Sequence, residues 1–253
     1  MQLHLQGKSV LVTGSSGGIG RAIAESFLAE GAEVAFNGRN ADALASVVAA
    51  QIGGKAIAID GDVSKPEQAC GVVERVLAAF GKLDVLVCNV GSGRSVPPGL
   101  ETPQEWLKIF EQNLWSATNM VEAAKHALIK TKGTIVCISS ICGQEVIAGA
   151  PVTYSSAKAA LNAYVRGIAR PLGQDGVRIN AIAPGNVLFE GSVWQRKSNE
   201  DAAAVKQMLA RDVALAKLGT PQDVANLALW LASPVASFCT GSIFVADGGQ
   251  VRS

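Results

Sequence analysis

Histidine is nearly absent from the 253 residues. Only His4 and His126 occur, far apart, so a histidine-based metal centre has no spacing to stand on and none is expected. The cysteines (Cys70, Cys88, Cys137, Cys142 and Cys239) are odd in number and lie mostly within apolar runs; they read as reduced core residues of a cytoplasmic protein, not as a disulfide framework. No charge of one sign dominates. With 22 basic against 21 acidic residues and no long basic run, nothing points to nucleic acid or an anionic membrane surface. No apolar segment reaches membrane-spanning length. The opening MQLHLQGKSVLVTG runs directly into a strand-like segment, without the pattern of a signal peptide, which again predicts a cytoplasmic protein. These exclusions leave a small molecule as the expected partner.

Apolar residues, in contrast, are plentiful. They make up 49% of the chain, enough for a full core and a subunit interface. Short β-rich runs (SVLVTG, EVAFNG, KAIAID, LDVLVCNV, GTIVCISS, VRINAIAPG, SIFVADGG) alternate with longer helical ones. Strands that are apolar throughout belong to a parallel sheet covered on both faces. The pattern predicts one α/β domain over residues 1–253, a doubly wound Rossmann fold with a single parallel sheet of about seven strands and helices on both faces. Only residues 186–220 break the rhythm. A connection this long, just past the end of a strand, reads as a substrate lid or binding loop.

The first strand ends in TGSSGGIG, where Gly14, Gly18 and Gly20 lead into a helix. Glycines there allow a tight turn and close approach of a pyrophosphate, and the helix N-terminus attracts the anion. At the end of the second strand an acid would select NAD, and an arginine would accept the 2′-phosphate of NADP. The chain reads FNGRN, with Gly38 where an acid could stand and Arg39 next. NADP(H) is therefore the expected cofactor and NAD(H) the alternative, with Ser15 and Ser16 as further hydroxyl donors to the phosphate.

Tyr154 stands four residues before Lys158 in VTYSSAKAALNAYV. On a helix that spacing puts phenol and ammonium on one face. Together with TGSSGGIG, the Asp62-Val63 pair, NVG at 89–91, Asn113, ISS at 138–140, INAIAPG and the DGG at 247–249, this motif resembles the short-chain dehydrogenase/reductase family over nearly the whole chain. The resemblance implies that Tyr154 is the proton donor and acceptor, that Lys158 holds the nicotinamide ribose and favours the phenolate, that Ser140 bonds the substrate oxygen and that Asn113 positions a water-linked proton path. It also implies a cofactor site of Gly14, Ser15, Ser16, Gly18, Ile19, Gly20, Arg39, Asp62, Val63, Asn89, Gly91, Tyr154, Lys158, Pro184, Gly185 and Val187. Its departures from the family are Val90 in place of the usual alanine, a Ser140 to Tyr154 spacing one residue long, with Ser139 as the other candidate hydroxyl, and Pro171, which should end or kink the Tyr154 helix.

The resemblance implies an NADP(H)-dependent oxidoreductase of a carbonyl or secondary alcohol, nearest to 3-oxoacyl-acyl carrier protein reductases, with sugar or polyol dehydrogenases as the alternative and a non-enzymatic NADP-binding redox sensor as the reading of another class. In GSGRSVPPG and FEGSVWQRK, Arg94, Arg196 and Lys197 could bind an anionic or carrier-bound substrate, and Trp194 could cover its apolar surface. The helices at 103–130 and 153–172 are expected to pair subunits into a homotetramer.

Overall fold

The alternating runs assemble into one parallel sheet. The computed structural model describes residues 2–51 and 54–252. Strands β1 (Ser9–Val12), β2 (Glu33–Gly38), β3 (Ala56–Asp60), β4 (Val85–Cys88), β5 (Thr134–Ile138), β6 (Arg178–Pro184) and β7 (Ile243–Ala246) lie in the order β3-β2-β1-β4-β5-β6-β7. Every pairing is parallel. The central strands β1, β4 and β5 are buried along their whole length, which is why they read as unbroken apolar runs.

Two apolar layers flank the sheet. Helices α1 (Gly18–Ala29), α2 (Ala41–Ala49) and α9 (Pro221–Ala232) cover one face around Phe27, Phe36 and Leu229. The other face packs on α3 (Pro66–Phe80), α5 (Ser116–Thr131) and α6 (Val152–Gln174) around Val72, Met120 and Leu161. Because β1 pairs with both β2 and β4, the strand order reverses there and opens a crevice at the carboxyl ends. The glycine turn and the Asn89–Gly91 turn both border it.

Several sequence expectations are corrected. The helix starting at Pro103 is two helices, α4 (Pro103–Phe110) and α5, joined by a π-helical turn over Glu111–Trp115 that contains Asn113. Residues 186–220 are not one loop but hold two helices, α7 (Val193–Glu200) and α8 (Ala202–Asp212). The Ser192 hydroxyl caps the first, and the Asp201 carboxylate caps the second. Pro171 does not end α6, which runs on to Gln174; so near the terminus the missing N–H costs only one bond, at the Gly167 carbonyl. All five cysteines are free, but only Cys88 and Cys137 are core residues; Cys70 is exposed, and Cys142 and Cys239 are half-buried.

Candidate active site

The glycine turn is built against β4. Asn89 donates its side-chain amide to the Thr13 and Gly14 carbonyls at 3.0 and 3.1 Å, and its backbone N–H to the Thr13 hydroxyl at 3.0 Å. A Cβ on Gly20 would collide with Asn89 Nδ2 and the Gly14 carbonyl, and one on Gly18, at φ +55°, would lie 2.6 Å from the Phe189 ring. Ile19 follows on α1, partly buried against the α1/α9 core. The Val90 side chain lies partly within the core and reaches 3.1 Å from where a Gly14 Cβ would sit, so its extra bulk turns toward the glycine turn.

Ser15 and Ser16, neighbours in sequence, differ. Ser15 is fully buried, and its hydroxyl donates to the Val12 carbonyl at 2.8 Å and accepts from Asn37 N–H at 2.9 Å. That hydroxyl is committed to joining β1 and β2, so it is not a phosphate donor. Ser16 is exposed, with its hydroxyl 3.5 Å from the place of a Gly38 Cβ. Arg39 follows Gly38, exposed, close enough to act on Asp62. Burial works against ionisation of Asp62, but hydrogen bonds from the Ser64 hydroxyl and N–H and the charges of Arg39 and Lys65 hold its carboxyl below the usual range. The Val63 side chain is buried in the core, leaving only its main chain to face a ligand.

Across the crevice, α6 presents Tyr154, Lys158 and Asn162 one turn apart. Ser140 acts on the phenol of the half-buried Tyr154, and its hydroxyl accepts from Cys142 N–H at 3.1 Å and starts a 3₁₀ turn over Ile141–Gly143. Ser139 points elsewhere: its hydroxyl donates to Asn162 Oδ1 at 2.6 Å, and Asn162 Nδ2 donates to the Gly143 carbonyl at 3.0 Å. Asn162, missed in the sequence, sits four residues past Lys158 and staples both sides of the Ser140 turn to α6.

Lys158 is buried and donates from Nζ to the Ile138 carbonyl at 2.8 Å. A Cβ on Gly91 would lie 3.0 Å from that Nζ and 2.9 Å from Asn113 Oδ1, so the three residues meet at one point. The Asn113 amide makes three bonds: Oδ1 accepts from Ser92 N–H at 2.9 Å, and Nδ2 donates to the Ser92 and Ile109 carbonyls at 3.2 and 3.1 Å. It clamps the segment after β4 beside the lysine.

The expected lowering of the phenol by the lysine is not met by the protein itself. Burial pushes Tyr154 up to about 12, opposed by the Ser140 hydrogen bond. Nζ stands 6.0 Å from the centre of the tyrosine ring, and burial brings Lys158 down to about 8. Desolvation is the largest cause of both shifts, and neither group figures in the other's.

The remaining predicted residues frame the cleft. Pro184 ends β6, Gly185 packs so closely on Asp247 that a Cβ would lie 2.7 Å from that residue's own, and the buried Val187 bridges to Gly219. Arg94 donates to the Gly191 carbonyl at 2.8 Å. Trp194 lines a cavity of about 250 Å³ between α7 and α8 with Val205 and Met208, under the Lys197 ammonium at 4.7 Å. None of Ser140, Tyr154, Lys158 or Asn113 lines that cavity.

Comparison with known proteins supplies the family. Residues 14–250 match the family model described as enoyl-(acyl carrier protein) reductase. A 3-oxoacyl-[acyl-carrier-protein] reductase of Chlamydia trachomatis is 33% identical, the match covering 97% of this chain and 98% of that protein. A 7α-hydroxysteroid dehydrogenase solved with NADH and 7-oxo glycochenodeoxycholic acid superposes with a TM-score of 0.89 at 32% identity, covering 100% of this chain and 97% of that one. The L-sorbose reductase of Gluconobacter frateurii, solved with NADPH and L-sorbose, reaches 0.93 at 27% identity over 100% of both chains. With this sheet order and this coverage, the chain belongs to the short-chain dehydrogenase/reductase family and is an oxidoreductase acting on CH–OH groups.

Proposed function

We propose that this enzyme is an NADP(H)-dependent reductase that interconverts a carbonyl and a secondary alcohol, with Ser140, Tyr154, Lys158 and Asn113 as its working residues. The observation that carries this reading is the meeting of the Tyr154 phenol, the Ser140 hydroxyl and the buried Lys158 amine beside a glycine turn in which Gly18 and Gly20 leave no room for a Cβ. When bound, a nicotinamide dinucleotide supplies or accepts the hydride. The turn fits such a group, because Gly14 and Gly18 hold the positive φ that lets the main chain turn tightly and the helix N-terminus favours an anion. Ser16 and Arg39 hold the 2′-phosphate, Asp62 faces the adenine, and Asn89, Gly91, Pro184, Gly185 and Val187 shape the walls.

The chain's own residues manage the proton. Burial keeps Tyr154 protonated at neutral pH, which suits donation to an oxygen on which charge develops. Ser140 stabilises the same oxygen with a hydrogen bond. Lys158, largely ammonium at neutral pH and tethered to the Ile138 carbonyl, would hold the nicotinamide ribose, and the phenol would be drawn toward ionisation only when the cofactor's positive charge is added to the lysine's.

The first substrate reading is a 3-oxoacyl thioester, supported by the acyl carrier protein reductase among the relatives and by the fully exposed Val146 between the Ser140 turn and α6. A sugar or polyol is the second. It is favoured because Arg94, Arg196 and Lys197 are engaged by Gly191, Glu200 and Trp194 and do not stand free for an anionic substrate. Cofactor oxidation measured with 3-oxoacyl thioesters, keto sugars and simple ketones, using NADPH and NADH in parallel, separates them. Turnover confined to keto sugars would select the second reading, and no turnover of any carbonyl would remove both.

A homotetramer in the cytoplasm completes the proposal. Exposed Leu107 and Trp115 mark one apolar face, and Phe238, Val235 and Val245 beside the edge strand β7 mark another; two independent faces are what a closed tetramer requires. A monomer by light scattering at micromolar concentration would contradict it.

A further inference from the structure

Helix α6 begins without a side-chain cap. Pro151 stands at its N-cap position and offers no polar group to the first turn, which holds Val152, Thr153 and Tyr154; the first main-chain bond runs from Ser155 N–H to the Pro151 carbonyl at 3.0 Å. Helix ends of this kind fray, and this one bears the phenol.

A lateral tie takes the place of the cap. The Thr153 side chain is wholly buried, with its hydroxyl 2.7 Å from that of Ser95, and Ser95 donates to Glu105 Oε1 at 3.0 Å. A carboxylate only accepts, so the single Ser95 proton points to Glu105 and the Thr153 hydroxyl is the donor to Ser95. The bonds therefore run one way, from α6 through the segment after β4 to α4, and end on a charge that strengthens them. Glu105 is itself fixed: its N–H donates to the Thr102 hydroxyl at 3.2 Å, and Lys108 Nζ donates to Oε2 at 3.4 Å. Thr102 and Glu105 have the spacing of a capping box, which Thr220 and Asp223 complete in α9. In α4 the carboxylate turns to Ser95 instead. The segment it holds passes the phenol: a Cβ on Gly93 would lie 3.8 Å from Tyr154 Cζ, the carbon that bears the hydroxyl.

We infer that Glu105 and Ser95 are positioning residues for the reaction: through Thr153 they hold the first turn of α6 and so set the Tyr154 hydroxyl against the substrate oxygen. The inference rests on the reading of Tyr154 as the proton donor given above.

The test uses the full-length enzyme with the best carbonyl substrate of the panel. Thr153→Val keeps the shape of the side chain and removes the donor, Ser95→Ala breaks the middle link, and Thr153→Ser restores a hydroxyl. Thermal melts establish which variants fold; Ser95→Ala, on a half-buried segment, carries the test alone if Thr153→Val does not. Thr153→Val and Ser95→Ala should each lower the single-turnover rate of nicotinamide oxidation roughly tenfold, with the dissociation constant of the cofactor near wild type. The solvent deuterium isotope effect on that rate should rise, because a displaced phenol slows proton transfer. The double variant should lose no more than either single one, since both cut the same chain. Thr153→Ser should recover most of the rate. A wild-type rate in the folded single variants would overturn the inference. So would losses that multiply in the double variant, or a lowered rate with an unchanged isotope effect. A wild type that reduces no carbonyl, or a Tyr154→Phe variant that turns over normally, is a separate result; it removes the reading of Tyr154 and the inference with it.

Discussion

The floor of the cleft and its roof are held by different means. On the floor, Thr13, Asn113, Lys158 and Asn162 are each no more than 3% exposed, and each bonds to main-chain groups of a neighbouring strand or turn. The roof, residues 91–99 and 186–220, is joined across by Arg94 and Gly191 and tied down at scattered points: Ser92 to Asn113, Ser95 to Thr153, Phe189 on Gly18 and Leu215 to Gly248. A floor of buried, mutually bonded polar groups tolerates no added bulk and fixes the reaction type. A roof with few anchors can change its side chains without disturbing the sheet, and there a family gains its range of substrates.

Substitutions that strike the floor should therefore cost most. Gly20→Ala drives a methyl group into Asn89 and the Gly14 carbonyl, and we expect a loss of roughly 3 kcal/mol of stability from overpacking and broken hydrogen bonds. Cofactor affinity should fall about a hundredfold with it. Denaturant melts and calorimetry read the two effects.

The buried lysine offers a comparable effect through pH. Its proton leaves at about 8 in the folded protein, against 10.5 for an ordinary lysine. The cost of the buried charge is thus fully present below pH 8 and disappears as pH rises toward 10.5. Without cofactor, stability should climb across that window by on the order of 3 kcal/mol, and Lys158→Met should flatten the climb. Tyr154 acts in the opposite sense at the upper end: its neutral form persists in the fold to about 12, so stability falls again above pH 10, where the unfolded phenol ionises.

Ser140→Ala and Ser139→Ala sharpen the contrast within the floor. The first should reduce kcat on the order of a hundredfold with stability retained. The second, which leaves Asn162 Oδ1 without its donor, should cost about 1–3 kcal/mol of stability with a smaller change in kcat.

At the rim the effects become selective. Arg39→Ala should raise the dissociation constant of NADPH about tenfold and leave that of NADH nearly unchanged, since only the 2′-phosphate loses a charged partner. Gly38→Asp should move preference toward NADH; a Cβ there has its nearest neighbour at 3.5 Å, an ordinary contact. Equal weakening of both cofactors by Arg39→Ala would make that residue an ordinary loop arginine.

The same division decided how much of the molecule was legible in its sequence. All seven strands could be read, because strands buried on two faces write themselves as apolar runs; helical spacing put Tyr154 and Lys158 on one face of α6, and the family resemblance proposed Ser140, with Ser139 as the other candidate. Ser15 was misplaced, since nothing in TGSSGGIG tells which hydroxyl turns inward to bond Asn37. The π-helical turn at Asn113 was not read, because the one-residue shift it puts into the apolar stripe does not stand out against a first helix as short as Pro103–Phe110. Helices α7 and α8 were hidden by polarity. Their caps, Ser192 and Asp201, were the available signals. Trp194 was assigned to the substrate mouth, but its cavity contains none of the four working residues; a tryptophan in a lid sequence does not reveal which way the lid turns it.

Tyr154→Phe tests the central claim most directly, because it removes one hydroxyl and keeps the ring against α6. Hydride transfer is followed by nicotinamide absorbance with the best carbonyl substrate of the panel, and cofactor binding by calorimetry on the same samples. We predict a loss of kcat of about a thousandfold or more, as expected for removal of a general acid, with cofactor affinity and melting temperature close to wild type. A folded Tyr154→Phe enzyme that turns over at near wild-type rate would contradict it.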